Sequence, residues 1–184
     1  MNVAGAAPRT GRPIHVHQGD YAVSASDSDM MTSVLGSCVA TCLYDPHAGV
    51  GGMNHFLLPD AGSDTGRTRL YGVHLMELLI NNLLRLGAER SNLKAKLFGG
   101  GKVIAGLSDI GARNAAFARQ FLSDEDLPCM SESLGGEFGR RIRFWPSTGR
   151  VRLMTLTTTS EQIPRTAPTA APDLSGTSGE LELF

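Results

Sequence analysis

Two extended, apolar-rich runs, Val39 to Tyr44 and Val50 to Leu58, flank the spacer Asp45-Pro46-His47-Ala48-Gly49, and this arrangement constrains the fold more than any other stretch. Proline presets one backbone angle, aspartate bonds its own backbone and glycine accepts left-handed angles, so the spacer turns the chain and the runs form a β-hairpin. Paired positions in a hairpin sum to a constant. A turn centred between Pro46 and Ala48 puts that constant at about 93 to 95.

The surrounding elements alternate in type. Apolar residues at Val73, Met76, Leu79, Ile80, Leu83 and Leu84 trace one face of a helix over Val73 to Leu86, with Gly87 as the stop. Lys94 to Phe98 reads as a short strand, and Asp109 to Leu122 as a second helix capped by Ser108 or Asp109. Cys129 to Ser133, Arg141 to Trp145 and Arg150 to Thr157 read as strands, the last two joined across Pro146-Ser147-Thr148-Gly149. The fold class expected is α+β with mostly antiparallel strands. Residues 1–13 read as a flexible arm, 14–159 as one domain, and 160–184, rich in Thr, Ala, Pro, Ser and Gly, as a disordered tail. Leu181, Leu183 and Phe184 at its end suit a docking peptide less well than a solvated terminus.

At 184 residues and 41% hydrophobic content, the chain supports one core. A net charge of −1 gives no global field towards nucleic acid or anionic membrane. No run of apolar residues is long enough to span a bilayer, and Pro8, Arg9 and Arg12 interrupt any signal peptide, so a cytoplasmic location is expected. Three cysteines are an odd number for a disulfide framework, which leaves reduced thiols and room for a reactive one.

Leu35-Gly36-Ser37-Cys38-Val39 precedes the first hairpin run, and Gly51-Gly52-Met53-Asn54-His55-Phe56 lies on the second. With a pairing sum of 93, Cys38 and His55 face each other about 5 Å apart; a slip of one residue sends them to opposite faces. An imidazole beside a thiol can take its proton and release the nucleophilic thiolate, and backbone N–H groups around Ser37 and Cys38 are candidates to receive an oxyanion. Three other readings compete at these residues. Cysteine is often a plain core residue, which suits Cys42 and Cys129. A zinc site from Cys38, Cys42, His47 and His55 is opposed by strand rise, which sets Cys38 and Cys42 about 13 Å apart. Gly99-Gly100-Gly101-Lys102 lacks the first glycine of a phosphate loop, because that position is Lys96. Arg140, Arg141, Arg143, Arg150 and Arg152 read as a solvated face first and a grip for acidic helices second, and His15, His17, His47 and His74 as surface or turn residues.

The stretches Thr32 to Val39, Cys42 to Pro46 and Gly51 to Pro59 resemble the CheD family, the chemoreceptor glutamine deamidases of bacterial chemotaxis. The resemblance runs on through Tyr71-Gly72, Met76 to Asn81, Phe98 to Gly101, Gly111-Ala112-Arg113-Asn114, Gly135-Gly136 and Pro146 to Gly149, covering about residues 18–157. It implies a compact αββα-type sandwich, with Cys38 as nucleophile, His55 as base and Thr32 orienting the imidazole. It also implies receptor glutamines as substrate, CheC phosphatase as a further partner, and no cofactor or metal. An adaptor that only binds CheC or receptors, and a thiol-dependent receptor methylesterase or protease, are the alternatives.

Overall fold

A computed structural model describes residues 13–58, 65–102 and 110–156. Residues 1–12 of the expected arm, the cap at Ser108 or Asp109, and the tail lie outside the described residues, while Pro13, the arm's last expected residue, opens a strand. In chain order the strands are β1 (Pro13–His15), β2 (Tyr21–Ser24), β3 (Met30–Leu35), β4 (Val39–Asp45), β5 (Val50–Phe56), β6 (Lys94–Gly99), β7 (Cys129–Leu134), β8 (Gly139–Trp145) and β9 (Arg150–Leu156). The helices are α1 (Thr65–Arg85) and α2 (Ile110–Asp124). Two sheets result, one ordered β1-β3-β8-β9 and the other β2-β5-β4-β6-β7. Among the described residues only β1/β3 and β6/β7 pair in parallel.

The sandwich is thus an α+β domain with its helices gathered on one side: both α1 and α2 pack on the five-stranded sheet. Side-chain alternation along β4 explains the two cores. Val39 and Leu43 face the helices with Phe56, Leu79, Leu83 and Leu97. Ala40, Cys42 and Tyr44 face the other sheet, where Met31, Leu35, Ile142 and Phe144 meet them. Cys42 is therefore a packing residue, fully buried, while Cys129 is exposed on β7, contrary to its reading as a core thiol.

The hairpin turn is built by Asp45, whose Oδ1 accepts the N–H groups of His47 and Ala48 at 2.8 and 3.1 Å, with Gly49 at φ +68° closing it. Its Oδ2 accepts the Glu89 N–H at 2.9 Å, which ties the turn to the segment after α1. Helix α1 ends as expected at Gly87, φ +99°, with Ala88 N–H bonded to Leu83 O and Gly87 N–H to Leu84 O.

Strands β1, β2 and β3 carry no strong signal in the sequence. The pairing of β3 with β8 joins residues more than a hundred positions apart, Ser33 with Ile142 for example. On the outer face of that sheet Arg141, Arg143, Arg150 and Arg152 are exposed, and Arg150 lies 4.1 Å from the Trp145 ring centre. Arg140 parts from them: it is buried and donates to the carbonyls of Ser133 and Gly135.

Candidate active site

The hairpin register decides how Cys38 and His55 relate. Val39 pairs with Phe56 and Ala40 with His55, so the constant is 95 and not the 93 that direct pairing requires. Cys38 sits in the bend just before β4, two positions from Ala40, the residue that pairs with His55. The two are therefore not cross-strand partners.

His55 is 6% exposed and held on one edge of its ring. The single hydroxyl hydrogen of Ser33 is donated to Val16 O at 2.9 Å, so Ser33 Oγ, 2.9 Å from His55 Nδ1, acts there as acceptor. Val16 O also lies 3.3 Å from Nδ1. Both neighbours accept, so the ring proton is on Nδ1 and Nε2 carries a bare lone pair. Nε2 is buried and bonds to no partner among the described residues. Burial holds the imidazole pKa below its ordinary value, the Val16 carbonyl opposing that shift.

Thr32 and Ser33 are neighbours on β3 and so point to opposite faces. Thr32 Oγ1 donates to Ile142 O at 2.8 Å, and the Thr32 carbonyl accepts the Val16 N–H at 3.0 Å. Thr32 thereby fixes the strand segment that holds His55, and the hydroxyl in contact with the ring belongs to Ser33. Sequence reasoning missed Ser33, although its two-residue spacing from Met31 and Leu35 placed it on the inner face.

The Cys38 thiol is half-buried and donates to Gln18 Oε1 at 3.4 Å. Burial raises its pKa, partly offset by its own backbone N–H. At rest the pair is therefore a neutral thiol and a neutral imidazole. A groove of about 500 Å³ opens beside His55, lined by Gln18, Thr32, Ser33, His55, Arg141 and Arg143 among others, and Cys38 reaches its rim through Gln18 rather than lining it. His15 and His17 are exposed nearby with rings stacked at 6.4 Å, and no cluster of metal-ligating side chains occurs among the described residues.

Further contacts hold the bend that carries Cys38. Asn114, fully buried on α2, donates to Ser37 O and accepts the Leu58 N–H, each at 2.9 Å. The glycine run after β6 donates to the bend as well, from Gly100 N–H to Cys38 O at 2.7 Å and from Gly101 N–H to Gly36 O at 2.8 Å. The signal for Asn114 was its place on the buried stripe of α2 with Gly111, Ala115 and Ala118.

Comparison with known proteins places these residues in context. A family model described as CheD chemotactic sensory transduction matches residues 57–155, which begins after Cys38 and His55. Longer matches cover both. A protein of Caulobacter sp. (strain K31), named probable chemoreceptor glutamine deamidase CheD, is 54% identical over 93% of this chain and 92% of its own. Proteins of the same name from Caulobacter vibrioides (strain NA1000 / CB15N) and Agrobacterium fabrum are 49% and 59% identical, over 96% and 76% of this chain and 96% and 77% of theirs.

Proposed function

This chain belongs to the CheD family, and on that footing we propose that it deamidates glutamine side chains of chemoreceptors, with Cys38 as nucleophile and His55 as base. What supports the residue assignment is His55 itself: a buried imidazole with Nδ1 committed and Nε2 free, paired with Ala40 two positions after the only half-buried thiol among the described residues. In the proposed reaction the Cys38 thiol leaves Gln18 and passes its proton to Nε2. The thiolate attacks the glutamine carboxamide carbon. The imidazolium returns the proton to the nitrogen, ammonia departs, and a thioester remains. Water, deprotonated by His55, then hydrolyses the thioester to glutamate and regenerates the thiol.

Thr32 has an indirect part in this scheme. It anchors β3 to Ile142 and Val16, so the acceptors around Nδ1 stay in place. Arg141 and Arg143 line the groove and are available to the segment flanking the target glutamine. The receptor segment is taken to be cytoplasmic, with CheC as a further partner; among the described residues no helix is long and apolar enough to cross a membrane. No observation on this chain favours the adaptor or methylesterase readings.

The test uses a purified chemoreceptor cytoplasmic fragment, with ammonia release and glutamine-to-glutamate conversion followed by mass spectrometry. Cys38→Ala and His55→Ala are expected to lower conversion by about 10³-fold or more while still binding the fragment. Undiminished conversion by Cys38→Ala would sink the assignment. An adaptor would bind the fragment without changing its mass, and a protease would cut it.

A further inference from the structure

The bend Gly36-Ser37-Cys38 has each of its carbonyls tied down from one side. Gly36 O accepts from Gly101 N–H at 2.8 Å, Ser37 O from Asn114 Nδ2 at 2.9 Å, and Cys38 O from Gly100 N–H at 2.7 Å. In a trans peptide the N–H that follows a carbonyl points the opposite way. The Ser37 and Cys38 N–H groups are therefore turned away from α2 and the glycine run. Neither donates to another residue among those described; the Cys38 N–H has only its own sulfur as a partner.

Close approach makes this possible. Gly99 stands at φ +112°, and a Cβ there would collide with Cys38 O. Gly111 on α2 meets Gly100 backbone to backbone, so a Cβ on it would strike Gly100 O. With those glycines the run lies flat on the bend, and Asn114, one turn further along α2, reaches Ser37. Both ends of its carboxamide are used. Through Leu58 it also fixes the chain just after β5, the strand that carries His55.

The geometry points to an oxyanion hole formed by the backbone N–H groups of Ser37 and Cys38, held open by Asn114 as a positioning residue. This inference rests on the proposed deamidase reading. When the Cys38 thiolate adds to the carboxamide carbon, the C=O π pair moves to oxygen, and the two N–H groups receive that charge. It returns to the carbon as the C–N bond breaks and ammonia leaves. Without the Asn114 bond the Ser37–Cys38 peptide can rotate, and the Cys38 N–H loses its aim. The Gly-Ala-Arg-Asn and Phe-Gly-Gly-Gly stretches, to which the sequence assigned no chemistry, acquire one purpose together.

The experiment compares Asn114→Asp and Asn114→Ala with the unaltered protein. Aspartate keeps the size and can still accept the Leu58 N–H, and once ionised, at a pH high enough to overcome its burial, it cannot donate to Ser37 O; alanine removes the donor at every pH. Readouts are kcat and KM on the chemoreceptor fragment, the rate of Cys38 alkylation by iodoacetamide, and the melting curve. Alkylation displaces iodide and develops no oxyanion, so it reports the thiol alone. Expected for Asn114→Asp is a kcat about 10²-fold lower, with KM and alkylation little changed. A folded Asn114→Asp with full kcat overturns the inference, and so does a parallel fall of kcat and alkylation, which would mark a purely structural residue. If neither Asn114 variant folds, Gly101→Ala, whose Cβ would sit 3.3 Å from Gly36 O, is expected to give the same split. Loss of activity in Cys38→Ala with full activity in Asn114→Asp would leave the deamidase reading standing and remove only the oxyanion hole.

Discussion

At the residue scale, the hydroxyl against the imidazole is that of Ser33, and its neighbour Thr32 is occupied elsewhere. One hydrogen bond of this kind is worth about 1 kcal/mol, so Ser33→Ala is expected to lower kcat about fivefold to tenfold, Val16 O still facing Nδ1. A Ser33→Ala variant with unchanged kcat would show that the Val16 carbonyl suffices. The pH profile follows from the same ring. His55 has its pKa lowered by burial, so the neutral imidazole that the proposed reaction uses as base persists as pH falls through the ordinary histidine range. The acid limb of the deamidation rate is expected below that range, and an acid limb at or above the ordinary histidine value would contradict it. The sign for stability is the same: the folded state favours neutral His55, so stability present above the unfolded-state pKa is lost as pH falls from it through the folded value.

At the element scale, Asp45 links the β4–β5 turn to the chain after α1 through three backbone N–H groups, those of His47, Ala48 and Glu89. Burial alone would raise its carboxyl pKa, but these donors outweigh burial and lower it. Asp45→Asn turns a donor towards one of those N–H groups and is expected to cost about 1–3 kcal/mol in urea denaturation at neutral pH. The difference should be present above the ordinary carboxylate pKa and disappear as pH falls through the folded Asp45 value. A constant difference across that window would mean the charge is not what the turn uses. Helix α1 also shows where periodicity stops helping. It begins at Thr65, eight residues before Val73; Leu70 and Tyr71, the large apolar side chains just before Val73, are 67% and 37% exposed, so they add nothing to the amphipathic stripe that marks the rest.

At the scale of the molecule, the five-stranded sheet belongs to both cores, with Val39 and Leu43 in one and Ala40 and Cys42 in the other. Neither core can be lost without baring one face of that sheet, so a single cooperative transition is expected. Trp145 is the only tryptophan and sits on β8 of the four-stranded sheet, while the helices lie against the other. Tryptophan fluorescence and far-ultraviolet circular dichroism should therefore give coincident urea midpoints. Phe144→Ala, in the inter-sheet core, should shift both midpoints together, at a cost of about 3–5 kcal/mol. Separated midpoints would mean the sheets unfold independently.

The sequence alone determined what local chemistry and short-range pattern can express. The β4–β5 turn needed Asp45, Pro46 and Gly49, the middle of α1 needed its apolar stripe, and the stop needed Gly87, each within a few residues of its partners. The resemblance carried by Cys38, His55 and their neighbours pointed to the family that the close relatives bear out. Tertiary structure decided whatever depends on distant residues meeting: that β3 lies between β1 and β8, that the pairing sum is 95, that Ser33 touches His55, and that Asn114 holds the bend that carries Cys38. The physical reason is that a period of two or 3.6 fixes which face a side chain takes, whereas its partner is chosen by long-range packing.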